Sequence, residues 1–107
     1  MSLKKSAEIS WFAPICDGDD DFLGNRNPLY KSSWENTCKI VQTAEKIGYK
    51  NILCPSSFQV GQDSLSFVAA MSNLTKNINF LPAVRCGEIH PPMLARNIAT
   101  IDHMLKG

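Results

Sequence analysis

The sequence repeats one unit three times: a short apolar segment, a loop rich in turn-forming residues, and a segment with helical periodicity. The apolar segments are residues 8–14, 51–55 and 78–84. Parallel strands need long crossover connections that are usually helical, so strands that alternate with helices indicate a parallel sheet. The sequence therefore predicts an α/β fold in the order β-α-β-α-β-α, with helices packed on the sheet.

The first helix has sequence signals at both ends. Ser32 and Glu35 have the spacing of a capping box, which predicts Ser32 as the N-cap residue. Gly48 can adopt the left-handed conformation that ends a helix, so we expect the helix to extend to Ile47. Its apolar residues recur at helical spacing and predict a buried stripe of Trp34, Cys38, Val41 and Ala44.

The other two helices follow the second and third strands. Asp63 or Ser64 is expected to cap the second helix, which extends to about Thr75. Its predicted core face comprises Phe67, Ala70, Met71 and Leu74. Pro91 and Pro92 suit the first turn of the third helix. Its predicted apolar stripe comprises Leu94, Ile98, Ile101 and Leu105.

Two architectures join parallel strands by helices, the doubly wound sheet and the (β/α)₈ barrel. Doubly wound nucleotide-binding folds usually have a Gly-rich turn after the first strand, and residues 15–18 lack that pattern. The barrel is therefore favoured, and residues 1–107 are predicted to be one partial domain, the amino-terminal three βα units of a TIM barrel. Because such a sheet has two unpaired edges, we expect the chain to belong to a longer protein or to associate with another chain.

Composition excludes several classes of function. Eleven basic and ten acidic residues give a net charge of +1 without a basic patch, so no nucleic-acid interface is expected. No apolar run approaches the roughly 20 residues that span a membrane. The first five residues lack the apolar region of a signal peptide, which predicts a cytosolic (cytoplasmic) protein.

The sequence has two weak candidates for a metal site. The thiols of Cys16, Cys54 and Cys86 follow strands at one edge of the predicted sheet, and His90 lies on the same side. Their spacing matches no zinc motif, so chance positions are the favoured interpretation. The acidic run at residues 17–21 lacks the glycine and glutamate spacing of an EF-hand loop. We therefore predict no metal site.

Several blocks of sequence, in a fixed order, resemble one enzyme family. Over roughly residues 9–107 the chain resembles the amino-terminal part of the bacterial luciferase-like flavin monooxygenases, and among them it looks most like the alkanesulfonate monooxygenases. The blocks are residues 11–14 (WFAP), 17–18 (DG), 22–24 (FLG), 44–49 (AEKIGY), Pro55 with Asp63, 80–85 (FLPAVR), and Pro92, Ala95, Arg96, Ala99, Thr100 and Asp102.

The resemblance implies a (β/α)₈ barrel that works as a homo-oligomer. Members of the family use reduced FMN, supplied by a separate flavin reductase, together with molecular oxygen. The implied substrate is a small molecule, with a sulfonate as the expected group. Such chemistry needs an enclosed site, because enclosure keeps water away from the reactive cofactor.

The resemblance also suggests roles for five residues. Ser56 and Ser57 follow the second strand, where relatives contact the flavin. Ala83 and Val84 end the third strand, close to the expected isoalloxazine ring. Arg85 matches an arginine at the mouth of the barrel in the sulfonate enzymes, and substrate binding is its suggested role, since a guanidinium can make two parallel hydrogen bonds to a sulfonate. A salt bridge to Glu88 or to a neighbouring loop acid is the alternative role for Arg85, and no catalytic residue is identified.

Two departures from the family pattern bear on substrate and activity. The sulfonate enzymes have a cysteine before an acidic pair at the start of the second helix, whereas residues 60–62 contain no cysteine and Gln62 stands where an acid is expected. The family's flavin-phosphate site and its remaining active-site residues belong to later barrel units, outside these 107 residues. The alternative function is therefore a truncated, non-catalytic barrel piece that self-associates or pairs with another chain.

Overall fold

A computed structural model of the protein describes residues 6–18, 27–57 and 61–107. Most of the acidic run at 17–21 and the block at 22–24 lie outside the described residues. None of the described helices has both the length and the apolar character needed to cross a bilayer. Strands and helices alternate as predicted: β1 (Ser10–Phe12), α1 (Trp34–Ile47), β2 (Asn51–Cys54), α2 (Ser64–Met71), β3 (Asn79–Pro82) and α3 (Pro91–Leu105).

The three strands form one parallel sheet in the order β1-β2-β3. The β1–β2 pairing continues beyond β1, because the Ala13 N–H donates to Leu53 O (2.9 Å) and the Lys50 N–H donates to Ile9 O (3.2 Å). Consecutive parallel strands that lie side by side are the arrangement with which a (β/α)₈ barrel begins. The predicted fold class is confirmed.

All three strands are shorter than predicted, and a proline lies at or just beyond the carboxyl end of each. Pro14 and Pro55 lie just beyond β1 and β2, and Pro82 is the last residue of β3. Proline has no N–H to donate to a ladder, so a strand ends where it occurs unless it lies at a sheet edge. Pro82 satisfies this rule, because β3 is an edge strand in the described sheet.

One face of the sheet is covered by helices. Ile52 and Cys54 of β2 point toward this face and are fully buried. A fully buried aliphatic side chain stabilises a fold by roughly 1.5–3 kcal/mol relative to an exposed one, so this layer is the main source of stability. Ile52 and Cys54 pack in one hydrophobic cluster with Ala13, Ile15, Cys38, Val41, Ala44, Leu65, Phe67, Val68, Met71, Ile78 and Ile101.

The opposite face of the sheet has no helix against it among the described residues. Phe12 pairs with Leu53, and Leu53 pairs with Leu81, so the three side chains form one row across the strands. Their exposed fractions are 45%, 37% and 62%. This row lies opposite Ile52 because successive side chains of a strand point to opposite faces. In a closed barrel the corresponding face lines the interior.

The two ends of α1 differ in how well the sequence predicted them. Ile47 ends the helix, and Gly48 adopts the expected left-handed conformation with φ of 98°. Ser33 is the N-cap residue, whereas Ser32 was predicted: the Asn36 N–H donates to Ser33 Oγ (3.1 Å). The capping-box prediction was therefore wrong by one residue, because Ser32 makes a tertiary hydrogen bond instead.

The second helix begins as predicted and ends early. Asp63 is its N-cap, accepting from the Ser66 N–H (2.8 Å). The helix ends at Met71 and not near Thr75, because the following residues form a tighter turn in which the Leu74 N–H donates to Met71 O (2.8 Å). This turn moves Leu74 out of the helical phase. Leu65 and Val68 are buried instead of the predicted Ala70 and Leu74.

Neither tryptophan is buried, although Trp34 was predicted in the core stripe of α1. Trp34 packs edge-on against Phe67, with 5.6 Å between ring centroids. Trp11 of β1 packs against Tyr49 at 5.3 Å and is about half-exposed, with 51% of its surface accessible. Each ring packs against an aromatic side chain on one side, and part of its surface remains exposed to solvent.

The carboxylate of Glu45 ties the end of α1 to the turn before β3. Its Oε1 accepts hydrogen bonds from the backbone N–H groups of Lys76 (2.7 Å), Asn77 (2.6 Å) and Ile78 (3.1 Å). Partial burial opposes ionisation of Glu45, but these three donors and the Lys76 charge outweigh it. The pKa of Glu45 is therefore lower than its ordinary value of 4.5.

We predict that Glu45→Gln lowers the free energy of unfolding by about 1–2 kcal/mol at neutral pH, because the amide loses the charge that strengthens three hydrogen bonds. A depressed carboxyl pKa stabilises the fold above the unfolded-state pKa, and that contribution disappears as the pH falls through the folded-state pKa. The difference between the two proteins should therefore shrink below about pH 4. Urea unfolding at a series of pH values measures it.

The control for this prediction is Asp102→Asn, which removes an exposed carboxylate from α3. It should change the free energy of unfolding by less than about 0.5 kcal/mol. An equal effect of the two substitutions, or a difference for Glu45→Gln that persists at low pH, would contradict the assignment.

Candidate functional site

The parallel sheet places the carboxyl ends of all three strands at one edge. The segments that follow β1, β2 and β3 therefore begin side by side, at the end of the sheet where (β/α)₈ barrels carry their active sites. All five residues to which the sequence assigned site roles lie in the second and third of these segments. Ser57 is exposed, and Ser56, Ala83, Val84 and Arg85 are partly buried.

Arg85 and Ser56 are in direct contact across the ends of β3 and β2. The guanidinium donates from Nη2 to Ser56 O (2.9 Å) and from Nε to Ser56 Oγ (3.3 Å). Ser56 contributes no charge, so these two bonds orient the guanidinium without neutralising it. The structure thus brings together one residue predicted to contact the flavin and one predicted to bind the substrate.

The structure also contains the ion pair that was the alternative role for Arg85. Arg85 Nε lies 3.8 Å from Glu88 Oε1, three residues later in the same loop. The Arg85 side chain is 28% exposed and that of Glu88 is 50% exposed. Exposed ion pairs contribute little to stability, at most about 1 kcal/mol.

Ala83 and Val84 are fixed by the elements around them. The Ala83 N–H donates to Cys54 O (2.8 Å), which continues the β2–β3 ladder past Pro82. The buried Ser64 at the start of α2 donates from Oγ to Ala83 O (2.9 Å). Val84 packs against the hydrophobic cluster. The end of β3 is therefore a rigid platform of main chain, with its position set by both β2 and α2.

Sequence reasoning missed a contact between the β1–α1 and β2–α2 connections. Cys16 and Gly61 form an isolated antiparallel bridge, and the Gln62 N–H donates to Ile15 O (2.7 Å). Gly61 has no room for a side chain, because a Cβ atom there would lie 2.7 Å from Ile15 O and 2.9 Å from the Cys16 Cα. The glycine at 61 was the available signal, since glycine often marks close backbone approach.

A polar cluster surrounds this contact, formed by Gln62, Ser32, Thr37 and Pro14. Gln62 Nε2 donates to Ser32 Oγ (2.6 Å) and to Thr37 Oγ1 (3.3 Å). Ser32 Oγ in turn donates to Pro14 O (3.1 Å). We call these four residues the Gln62 cluster. It joins the end of β1, the start of α1 and the start of α2.

The described residues contain no group of three or more His, Cys, Asp or Glu side chains that could hold a metal ion. The thiols that follow the strands have different environments: Cys54 is fully buried in the core and Cys86 is exposed. Burial raises the pKa of Cys54 to about 12, and it also raises the pKa of Cys38. A thiolate at Cys54, the form that binds zinc, is therefore disfavoured.

Comparison with known proteins identifies relatives for nearly the whole chain. The family model for luciferase-like monooxygenases matches residues 8–107. A sulfoquinovose monooxygenase of Agrobacterium fabrum is 55% identical over 102 residues, which cover 95% of this chain and 26% of that protein. A sulfoquinovose monooxygenase of Novosphingobium aromaticivorans is 45% identical over 102 residues, covering 95% of this chain and 28% of that protein. The chain thus spans about a quarter of the length of these relatives.

We predict that Ser64→Ala lowers the free energy of unfolding by about 1 kcal/mol, because it removes the donor to the partly buried Ala83 carbonyl. The matched control is Ser66→Ala in the same helix, where the side chain is exposed; it should change stability by less than about 0.5 kcal/mol. Urea unfolding of both variants provides the comparison. Equal effects would show that the Ser64 hydroxyl does not hold the end of β3.

Proposed function

The chain belongs to the luciferase-like monooxygenase family, and on this premise we propose that it is the amino-terminal part of a monooxygenase that uses reduced FMN and molecular oxygen. The observation that carries the proposal is the 55% identity to one sulfoquinovose monooxygenase over 95% of the chain. Arg85, oriented at the end of the sheet that carries active sites in barrels, is consistent with it.

The segments after β2 and β3 suit a flavin in chemical terms. Ser56 and Ser57 offer hydroxyl groups for the polar edge of an isoalloxazine ring, and the main chain at Ala83 and Val84 offers a rigid flank. Bound reduced FMN would supply the electrons that activate oxygen. The phosphate group is expected to bind in later barrel units, so these 107 residues alone should bind FMN weakly or not at all.

The proposed substrate is a small organic sulfonate, with Arg85 as a residue that binds the sulfonate group. A guanidinium and a sulfonate match as a planar donor pair and a pair of acceptor oxygens. Resemblance to the alkanesulfonate monooxygenases predicted an alkanesulfonate, and the two relatives are named for sulfoquinovose. We favour sulfoquinovose because of the 55% identity. A separate flavin reductase, a homo-oligomeric assembly and a cytoplasmic location complete the proposal.

A second candidate function is supported by the uncovered face of the sheet. Phe12, Leu53 and Leu81 form an exposed apolar row, and both outer strands of the described sheet are edge strands. Such a surface favours self-association or pairing with another chain. This candidate is a non-catalytic barrel piece, which would have a mass in solution above the 11.9 kDa of one chain and would confer no FMN binding on a completed barrel.

We predict that a chimera binds reduced FMN and consumes oxygen with sulfoquinovose, when this chain replaces the matching residues of the Agrobacterium fabrum relative. The reason is that the chimera joins the Ser56–Arg85 end of the sheet to the remaining barrel units. Fluorescence titration and an oxygen electrode measure the two activities. The 107-residue chain and the remainder of the relative, each alone, are the controls. A folded chimera that binds no FMN would refute the proposal and favour the second candidate.

We predict that Arg85→Lys in the chimera raises the KM for the sulfonate substrate about tenfold or more and changes kcat less. An ammonium group cannot make the paired contact that a guanidinium makes, so substrate binding weakens. Arg96→Lys, an equivalent change at an exposed position of α3, should leave KM unchanged. Initial rates against substrate concentration decide between these outcomes, and an unaltered KM for Arg85→Lys would remove Arg85 from the substrate site.

A further inference from the structure

Both hydroxyl groups of the Gln62 cluster already donate a hydrogen bond to a main-chain carbonyl. Ser32 Oγ donates to Pro14 O (3.1 Å), and Thr37 Oγ1 donates to Ser33 O (2.8 Å). A hydroxyl group has one proton to donate, so each of these oxygens can only accept a further hydrogen bond. Thr37 is fully buried, which makes an unmet hydrogen bond there costly.

The amide of Gln62 is the side chain that satisfies both oxygens at once. Its Nε2 carries two protons and lies 2.6 Å from Ser32 Oγ and 3.3 Å from Thr37 Oγ1. A carboxylate of the same size has no proton to donate. To bind a carboxylate, the hydroxyl of Ser32 or Thr37 would have to donate its proton to the carboxylate. The carbonyl of Pro14 or Ser33 would then lose that hydrogen bond.

The Gln62 cluster fixes the far end of the β2–α2 connection, and the near end of that connection carries Ser56 and Ser57. Gly61 and Gln62 lie at the far end of that connection and bind the β1–α1 connection through the Cys16 bridge and the Gln62 N–H. At the near end, Ser56 binds the guanidinium of Arg85. Both ends of the β2–α2 connection are therefore anchored to neighbouring strand ends by hydrogen bonds.

We propose that Gln62 is a positioning residue for the flavin and substrate site, and that its neutral amide is required because the site needs a double donor at this position. The positioning role rests on the proposed function, whereas the requirement for a donor at position 62 is independent of that function. Gln62 is thus more than a departure from the acidic residue of related enzymes, since an ionised acid here would lose both side-chain hydrogen bonds that Gln62 donates.

The first test is hydrogen exchange of the backbone N–H at position 62, expressed as a protection factor. Gln62→Glu should lower protection about tenfold at neutral pH, since the carboxylate cannot donate. As the pH falls from about 7.5 to about 4 the carboxyl gains one proton and becomes a single donor, so protection should return part of the way to that of the unsubstituted protein. Gln62→Met, which has a similar size and no donor, should lower protection equally at every pH.

The control is Gln42→Glu, which makes the same chemical change on the exposed face of α1. It should leave protection at position 62 unchanged. Among the residues that the structure describes, the other titratable groups near position 62 are Asp17, whose Oδ1 accepts from the Ser32 N–H, Cys16 across the bridge, and the adjacent Asp63. The unsubstituted protein and Gln62→Met keep all three, so a pH effect confined to Gln62→Glu belongs to the new carboxyl.

The second test measures FMN affinity in the chimera described above. Gln62→Glu should weaken FMN binding about tenfold at neutral pH and recover part of it at low pH, following the protection factor. Full protection of Gln62→Glu at neutral pH, or a loss that does not depend on pH, would overturn the donor assignment. Lost protection with unchanged FMN affinity would overturn the positioning role. A chimera that binds no FMN with Gln62 in place would refute the proposed function. Hydrogen exchange would still test the hydrogen bonds of the Gln62 cluster, because that measurement does not need FMN.

Discussion

The parallel pairing of three strands is the constraint from which the rest of the molecule follows. β2 is bonded on both sides, to β1 and to β3, and so aligns all three carboxyl ends at one edge. Alternation of side chains along the same strands then divides the sheet into two faces. One face, with Ile52 and Cys54, is buried under helices, and the other, with Leu53 and Leu81, is exposed. Strand pairing therefore decides both where the site lies and which surface remains to be covered.

The connections at both ends of the sheet are held more firmly than their turn-rich sequences indicate. Glu45 fixes the turn before β3 through three main-chain donors. At the opposite end of the sheet, Ser64 holds Ala83 and the Gln62 cluster joins two connections. These contacts use polar groups at both ends of the helix layer, where the apolar core does not reach. An anchored end of the sheet suits the flavin site proposed above.

The exposed face and the anchored site have one explanation in the family to which the chain belongs. The exposed row of Phe12, Leu53 and Leu81 corresponds to the interior of a closed barrel, which the relatives have the length to complete. Arg85 and Ser56 follow β3 and β2 at the carboxyl edge of the same sheet. The proposed monooxygenase function and the alternative of association both begin from this surface, and they differ in what covers it.

The order of elements, the parallel α/β class and the family were determined by the sequence, because helical periodicity, proline at strand ends and glycine at helix ends act locally. Ile47 and Gly48 at the end of α1 are examples. Tertiary structure decided what depends on distant partners. Ser32 does not cap α1, because its hydroxyl donates to Pro14 O, 18 residues away in the chain. Leu74 is not on the core face, because a turn follows Met71. The contact between Arg85 and Ser56 spans 29 residues, and the Gln62 cluster spans comparable separations. Only folding brings such residues together, since hydrogen bonds between distant segments leave no periodic signal in the sequence.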